Sequence, residues 1–254
     1  AKYDDHQASS YDVEHCGWSN LPEDDWIWHD DFAWGIGEFV WTGFDYLGEP
    51  TPYYTDWPSH SSLFGIVDLA GLPKDRYYLY RSHWNKEVET LHILPHWTWP
   101  GREGETTPVF VYTNYPSAEL FINGVSQGVR TKDTTITMEN SLGAEAERDF
   151  VRQRRYRLMW MDTTYEPGEV KVVAYDAEGN AVAERVMRTA GEPYRIVLEA
   201  DRDVIKADGK DLSFVTVKVV DRDGNLCPNA ENLIKYSVKF VASNVKSYAI
   251  CTRV

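Results

Sequence analysis

Cysteine and basic residues are scarce in this 254-residue sequence. The cysteines are three in number and far apart, without CxxC or His-partner spacing, so they define neither a disulfide framework nor a zinc site. The formal net charge of −14 would repel a phosphate backbone, which argues against nucleic acid or an anionic membrane as a partner. The sequence has no apolar run long enough for a membrane span and no signal-like segment after a basic start.

Metal-binding patterns are also missing. Histidines and acidic residues do not occur in HExxH or comparable spacing. We therefore expect no metal and no cofactor, and we interpret the histidines as surface or packing residues.

Tryptophan and acidic residues are abundant instead, and both concentrate near the start. Nine of the ten tryptophans precede residue 100, and the first fifty residues carry twelve Asp or Glu against a single base, Lys2. Carboxylates accept hydrogen bonds from hydroxyl groups, and aromatic faces stack on the apolar side of a sugar. This composition suits a neutral polyhydroxyl ligand, although many of the tryptophans could equally be core residues.

The first ninety residues predict a βα unit. Residues 23–34 and 73–84 have helical spacing of aromatic residues, and Pro73 suits a first helical turn. Between them, residues 36–46 form a nearly continuous apolar run, which predicts a parallel strand buried on both faces. A long loop, residues 47–62, follows this strand. In a (β/α)8 barrel the loop after a strand is where function is built.

A Pro/Gly-rich stretch, residues 94–107, marks a change to short strands only. We predict strands at residues 109–113, 118–122, 156–161, 170–175 and 181–188, with hairpin turns at Asn123-Gly124 and at residues 176–180. This spacing without helices fits an immunoglobulin-like β-sandwich. A third segment, with strands at residues 194–198, 214–220 and 234–240, is short for such a domain, so unpaired sheet edges would favour self-association.

One stretch carries a family resemblance. GEFVWTGFDYLGEPTPY, residues 37–53, resembles the eighth barrel strand of Bacteroides-type family-2 β-galactosidases. The resemblance continues in AELFING, residues 118–124, and in IKADG, residues 205–209, and covers roughly residues 1–240. It implies a multi-domain chain: the end of a (β/α)8 TIM barrel in residues 1–92, an immunoglobulin-like β-sandwich in residues 93–190, and a second, incomplete immunoglobulin-like domain in residues 191–254.

The resemblance also implies a sugar site. Trp41 matches the tryptophan that lies against the sugar, and Asp45, Glu49 and Asp56 fall at or near the same rim. Strand alternation independently places Trp41 and Asp45 on one face. The alternatives are that Trp41 is core packing and that the three carboxylates are solvated loop residues.

The catalytic carboxylates are expected elsewhere. Retaining glycosidases use two carboxyl groups about 5–5.5 Å apart, and the resemblance places them on barrel strands four and seven. The acid/base of the family normally lies in an Asn-Glu dipeptide, which this chain lacks. We therefore expect both glutamates upstream of Ala1.

The resulting hypothesis is a piece of a retaining hydrolase of terminal β-D-galactosides, inactive alone, with a carbohydrate as its ligand. The resemblance implies a periplasmic or extracellular location in a bacterium. The alternatives are a non-catalytic carbohydrate-binding or structural β module, and a piece of a β-glucuronidase or β-mannosidase of the same family.

Overall fold

The computed structural model describes residues 9–51, 53–54, 59–237 and 252–253. The structure is mostly β, with few helices. Its helices are α1 (Pro22–Asp31), α2 (Asp75–Trp84), α3 (Ala144–Arg148) and α4 (Gln153–Tyr156), with a 3-10 turn at Glu139–Ser141. Its strands are β1 (Leu91–Leu94), β2 (Val109–Thr113), β3 (Ser117–Ile122), β4 (Val125–Thr131), β5 (Leu158–Trp160), β6 (Glu169–Tyr175), β7 (Ala181–Arg188), β8 (Arg195–Ala200), β9 (Val215–Val220) and β10 (Thr252–Arg253).

Seven strands form a β-sandwich. One sheet has the order β1-β2-β5 and the other β4-β3-β6-β7, and every pairing is antiparallel. Alternate residues of β3 and β6 are buried, and they pack against one face of the other sheet in a shared core that includes Leu120, Val172 and Trp160. Period-two alternation is what a sheet with one covered face requires.

The predicted Asn123-Gly124 turn is confirmed between β3 and β4. Both residues have positive φ, 49° and 79°, as a two-residue hairpin turn requires. A register shift follows opposite Leu120, where Gly128 has a φ of 84°. Glycine adopts this conformation without a Cβ clash, so the bulge is encoded locally.

The outer face of the β1-β2-β5 sheet carries the two long helices. Phe110 and Tyr112 of β2 point into a second core with Trp26 of α1 and Leu79 of α2. All five residues of β2 are buried because both of its faces are covered. The two predicted helices are thereby confirmed, α1 being shorter at its end than the predicted 23–34.

Charge complementarity joins α1 to the sandwich. The guanidinium of Arg157 donates to both carboxylate oxygens of Glu23, and both side chains are fully buried. Arg152 pairs with Asp24 at 2.5 Å and Arg155 with Asp31 at 2.7 Å. The acidic helix therefore lies against a basic segment, residues 152–157, that immediately precedes β5.

The third part of the chain is a small sheet of order β10-β9-β8. β8 and β9 pair antiparallel, and β10 pairs parallel with β9. Ile196 and Leu198 of β8 are exposed. The predicted strand at 234–240 is wrong for its described residues 234–237, which are irregular, and its remainder lies outside the described residues.

The predicted strand at residues 36–46 is wrong. The segment is irregular, and Ile36, Phe39, Trp41 and Phe44 are exposed rather than buried. A parallel barrel strand is hydrogen-bonded on both sides. Among the described residues, backbone–backbone hydrogen bonds reach this segment only from residues 66–67 and Ser62, so no two-sided ladder forms.

The expectation of strands alone between residues 107 and 190 is also wrong. The 3-10 turn, α3 and α4 occupy the connection from β4 to β5, and α4 takes the start of the strand predicted at 156–161. Within the described part of the chain, no helix has the length and apolar character to cross a bilayer.

Candidate functional site

The candidate site is built on residues 41–49, which we call the Trp41 segment. Its backbone is held by residues 60–67: Val67 donates to the Gly43 carbonyl, Asp45 donates to the Val67 carbonyl, and Ser62 donates to the Tyr46 carbonyl, all at 2.9 Å. The Trp41-Thr42 peptide bond is cis. The three backbone hydrogen bonds fix the segment from one side and leave its aromatic side chains exposed.

Asp45 anchors the segment from within. Its side chain is buried, with Oδ1 accepting from the Gly65 backbone N–H at 2.7 Å and Oδ2 paired with Lys74 Nζ at 2.6 Å. A Cβ at Gly65 would collide with the backbone of Phe44 and Asp45, so only glycine permits this approach. Asp45 therefore fixes the loop with both carboxylate oxygens.

Trp41 is the opposite case, since 75% of its surface is exposed. Its indole Nε1 donates to Tyr46 Oη at 3.1 Å, and the two rings meet edge to face with centroids 6.1 Å apart. Tyr46 Oη in turn donates to Glu49 Oε2, and this hydrogen bond raises the pKa of Tyr46. The relay sets the orientation of the indole and places a carboxylate beside it.

This geometry suits sugar recognition chemically. An exposed, oriented indole face can stack on the C–H face of a pyranose, and a carboxylate can accept its hydroxyl hydrogen bonds. Because Tyr46 fixes the ring in advance, binding has less side-chain freedom to remove.

The structure brings together two of the four predicted site residues. Trp41 and Glu49 are joined through Tyr46, whereas Asp45 faces the 62–74 side of the loop. Asp56 lies outside the described residues. Sequence reasoning missed Tyr46, because strict alternation puts residues five apart on opposite faces, and the segment does not alternate.

Glu38 has a structural environment. Its Oε1 accepts from Trp26 Nε1 at 3.2 Å, and its pKa is raised by burial and by the charge of Asp25. Glu38 therefore links the chain just before the Trp41 segment to α1. No group of three His, Cys, Asp or Glu within the described residues is arranged to hold a metal ion.

A β-sandwich joined to an acidic, tryptophan-rich segment with an oriented surface indole is compatible with a modular protein that acts on carbohydrates. Comparisons with known proteins agree. Residues 196–245 match the model "Glycoside hydrolase family 2 C-terminal domain 5", and residues 104–183 match "Domain of unknown function (DUF4982)". The chain is 46% identical over 233 residues to beta-galactosidase BoGH2A of Bacteroides ovatus, a match over 91% of the chain and 24% of that protein. The chain belongs to glycoside hydrolase family 2.

Further relatives differ in their named activity. The chain is 34% identical over 214 residues to a putative beta-glucuronidase of Formosa agariphila, covering 82% of the chain and 18% of that protein. Among solved structures, a beta-glycosidase from Bacteroides vulgatus matches with a TM-score of 0.72 and 33% identity, over 89% of the chain and 25% of that protein. The chain thus spans about a quarter or less of the length of these relatives.

Proposed function

We propose that this chain is part of a retaining glycoside hydrolase that cleaves terminal β-D-galactosides. In this proposal the chain contributes stacking on the terminal sugar through Trp41, together with accessory β domains. The observation that carries it is the exposed indole of Trp41, fixed by Tyr46 next to the Glu49 carboxylate. The 46% identity to a β-galactosidase supports the choice of sugar.

The proposed architecture places the end of a (β/α)8 barrel in residues 1–92, an immunoglobulin-like sandwich in residues 93–190 and a second such domain in residues 191–254. The parallel bridge between Phe44 and Val67, followed by α2, supports the first. Sheets of three and four antiparallel strands support the second, since that division is typical of the immunoglobulin fold. The family match at 196–245 supports the third.

The proposed mechanism is a double displacement by two carboxyl groups about 5–5.5 Å apart, supplied by sequence outside this chain. Trp41 holds the sugar by its C–H face, and Glu49 accepts hydroxyl hydrogen bonds. In this proposal Asp45 contributes by holding the loop through Lys74 and Gly65. A contact of Asp56 with the sugar is proposed from the motif alone. The ligand is a neutral carbohydrate, and the net charge of −14 disfavours nucleic acid.

Two further proposals concern the setting of the protein. A periplasmic or extracellular location is supported by the bacterial, Bacteroides-type relatives. Self-association through the sheet of the third domain is supported by exposed apolar residues there, Ile196, Leu198 and Phe214.

Titration with galactose tests the proposal. Trp41→Ala should weaken galactose binding by at least about tenfold, equivalent to about 1.4 kcal/mol, because the stacking face is lost. Trp18→Ala is the matched control, since Trp18 is 76% exposed but lies outside the Trp41 segment. Equal affinity for galactose in both variants, measured by calorimetry, would contradict the role of Trp41 in stacking on the sugar.

A β-glucuronidase is the second candidate, favoured by the 34% identical relative. Glucuronate in place of galactose in the same titration separates the two, because a uronate carboxylate needs a cationic partner. A binding surface built on Trp97 is disfavoured, since Trp97 is buried in the sandwich core and donates to the Glu166 carbonyl.

A further inference from the structure

A cleft of about 680 Å³ opens on the β-sandwich, among residues that do not belong to the Trp41 segment. Its walls are the end of β4, the helical connection containing α3 and α4, and β5 with the two residues after it. This volume lies in the range that encloses a small organic ligand. Six exposed charged side chains line it: Arg130, Arg148, Arg154, Asp133, Asp149 and Asp162.

One charged group of this cleft, Arg154, is left unpaired by the clamp on α1. Of the four arginines in residues 152–157, Arg152, Arg155 and Arg157 pair with acids of α1. Arg154 does not, and within the described residues its guanidinium has no hydrogen bond or ion pair, although its charge helps to lower the pKa of Asp133 in the same cleft. The clamp therefore fixes the backbone of α4 while presenting Arg154 to the cleft.

Two of the three lining carboxylates, Asp149 and Asp162, are similarly available. Asp133 accepts from Thr135, and Arg130 donates to the Met159 carbonyl. The side chains of Asp149 and Asp162 form no hydrogen bond or ion pair with any other described residue, and Arg148 reaches only Glu145 at 4.0 Å. The exposed arginines and aspartates are equal in number, so the cleft combines donors and acceptors without net charge. Arg157 at its back is neutralised by Glu23.

An apolar floor accompanies these polar groups. Phe150 is half-buried and Met161 is 41% exposed, and the lining also includes the buried residues Leu158 and Met159. An aromatic ring and a thioether suit the C–H face of a sugar, while guanidinium donors and carboxylate acceptors suit its hydroxyl groups. Because the three aspartates offset the three exposed arginines, the cleft offers a phosphate or uronate ligand no net positive charge.

We propose that this cleft is a second glycan-binding site, specific for a short neutral oligosaccharide and separate from the Trp41 segment. Such a site would hold a polymeric substrate on the sandwich while its end is processed elsewhere. Linking two weak sites on one molecule raises the overall affinity for a long chain but not for a monosaccharide.

The test titrates the 254-residue chain with β-1,4-galactotetraose by calorimetry, with galactose and tetragalacturonic acid as comparison ligands. Arg154→Ala and Asp162→Ala should each weaken tetraose binding at least fivefold and leave galactose binding unchanged. Arg185→Ala, at an exposed position on β7 outside the cleft, is the matched control and should bind like the parent chain. Circular dichroism confirms that each variant is folded.

Three outcomes would overturn the cleft proposal: no tetraose binding by the parent chain, unchanged affinity in both cleft variants, or tighter binding of tetragalacturonic acid than of the neutral tetraose. Loss of tetraose binding in Trp41→Ala alone would assign it to the Trp41 segment instead. Conversely, cleft-dependent tetraose binding that survives Trp41→Ala would support the cleft even if the galactosidase proposal failed.

Discussion

His83 shows how one residue connects the two helices beneath the site. Its ring stacks on Trp26 with centroids 4.4 Å apart and meets Tyr156 edge to face. Burial lowers the pKa of His83 to about 4, against the opposing charge of Asp30 at 3.8 Å, and Lys86, Lys132 and Arg155 lower it further. The imidazole is therefore neutral in the folded protein at neutral pH.

This depressed pKa predicts acid sensitivity. Unfolded histidine has a pKa of about 6.5, so the unfolded state binds more protons between that value and about 4. The stabilisation is fully present above pH 6.5 and is lost as the pH falls through 4, by on the order of 2–3 kcal/mol. His83→Phe should flatten the pH profile of the free energy of unfolding measured in urea. His15→Phe, at an exposed position, should leave it unchanged, and identical profiles for all three proteins would contradict the account.

At the scale of residues, the sequence indicated which side chains to consider but not how they are arranged. Trp41 and Glu49 were identified by a motif, and the structure shows them joined. Their connection through Tyr46 could not be predicted, because it depends on an irregular backbone held by residues 60–67 rather than on strand alternation. The roles of Trp41, Asp45, Glu49 and Asp56 in sugar binding stay predictions.

At the scale of elements, the stability of the contact between α1 and residues 152–157 depends most strongly on electrostatics. Arg157 donates to Glu23, to the Tyr11 carbonyl at 2.8 Å and to the Asp12 carbonyl at 3.0 Å. The environment is fully buried, so each charge depends on the other.

We predict that Arg157→Met lowers the free energy of unfolding by about 3–5 kcal/mol, because Glu23 is left buried without a partner. The double variant Arg157→Met/Glu23→Leu should recover part of that loss, since no unpaired charge remains. Arg188→Met, which breaks the exposed pair with Glu169, should change stability by less than about 1 kcal/mol. Urea unfolding measures all three, and a double variant as unstable as the sum of the single changes would refute the argument.

At the scale of elements, the sequence predicted best those strands whose apolar residues follow a clear pattern of burial. β2 and β7 have the predicted bounds. Both faces of β2 are covered, and β7 packs one face on the sandwich core. The run at 36–46 misled, since its apolar residues are exposed in the structure rather than buried between strand neighbours. The helices α3 and α4 were missed because they are short and polar, and the charges of α1 hold residues 152–157 in place.

At the scale of the whole molecule, we propose that this chain binds the sugar and that the bond-breaking groups are supplied by sequence outside it. The described residues contain an oriented indole, a neighbouring carboxylate and a sandwich that clamps the supporting helix. The glutamates that break the bond are proposed to lie outside this chain, which spans 24% of its β-galactosidase relative. This chain should therefore bind a sugar without hydrolysing its glycosides.

Hydrolysis of a chromogenic β-galactoside by the purified 254-residue chain tests this claim most directly. The predicted result is release of the chromophore at the buffer rate, in the parent chain and in Glu49→Gln alike. Turnover above that rate that disappears in Glu49→Gln would contradict it, because the chain would then carry its own catalytic carboxylate.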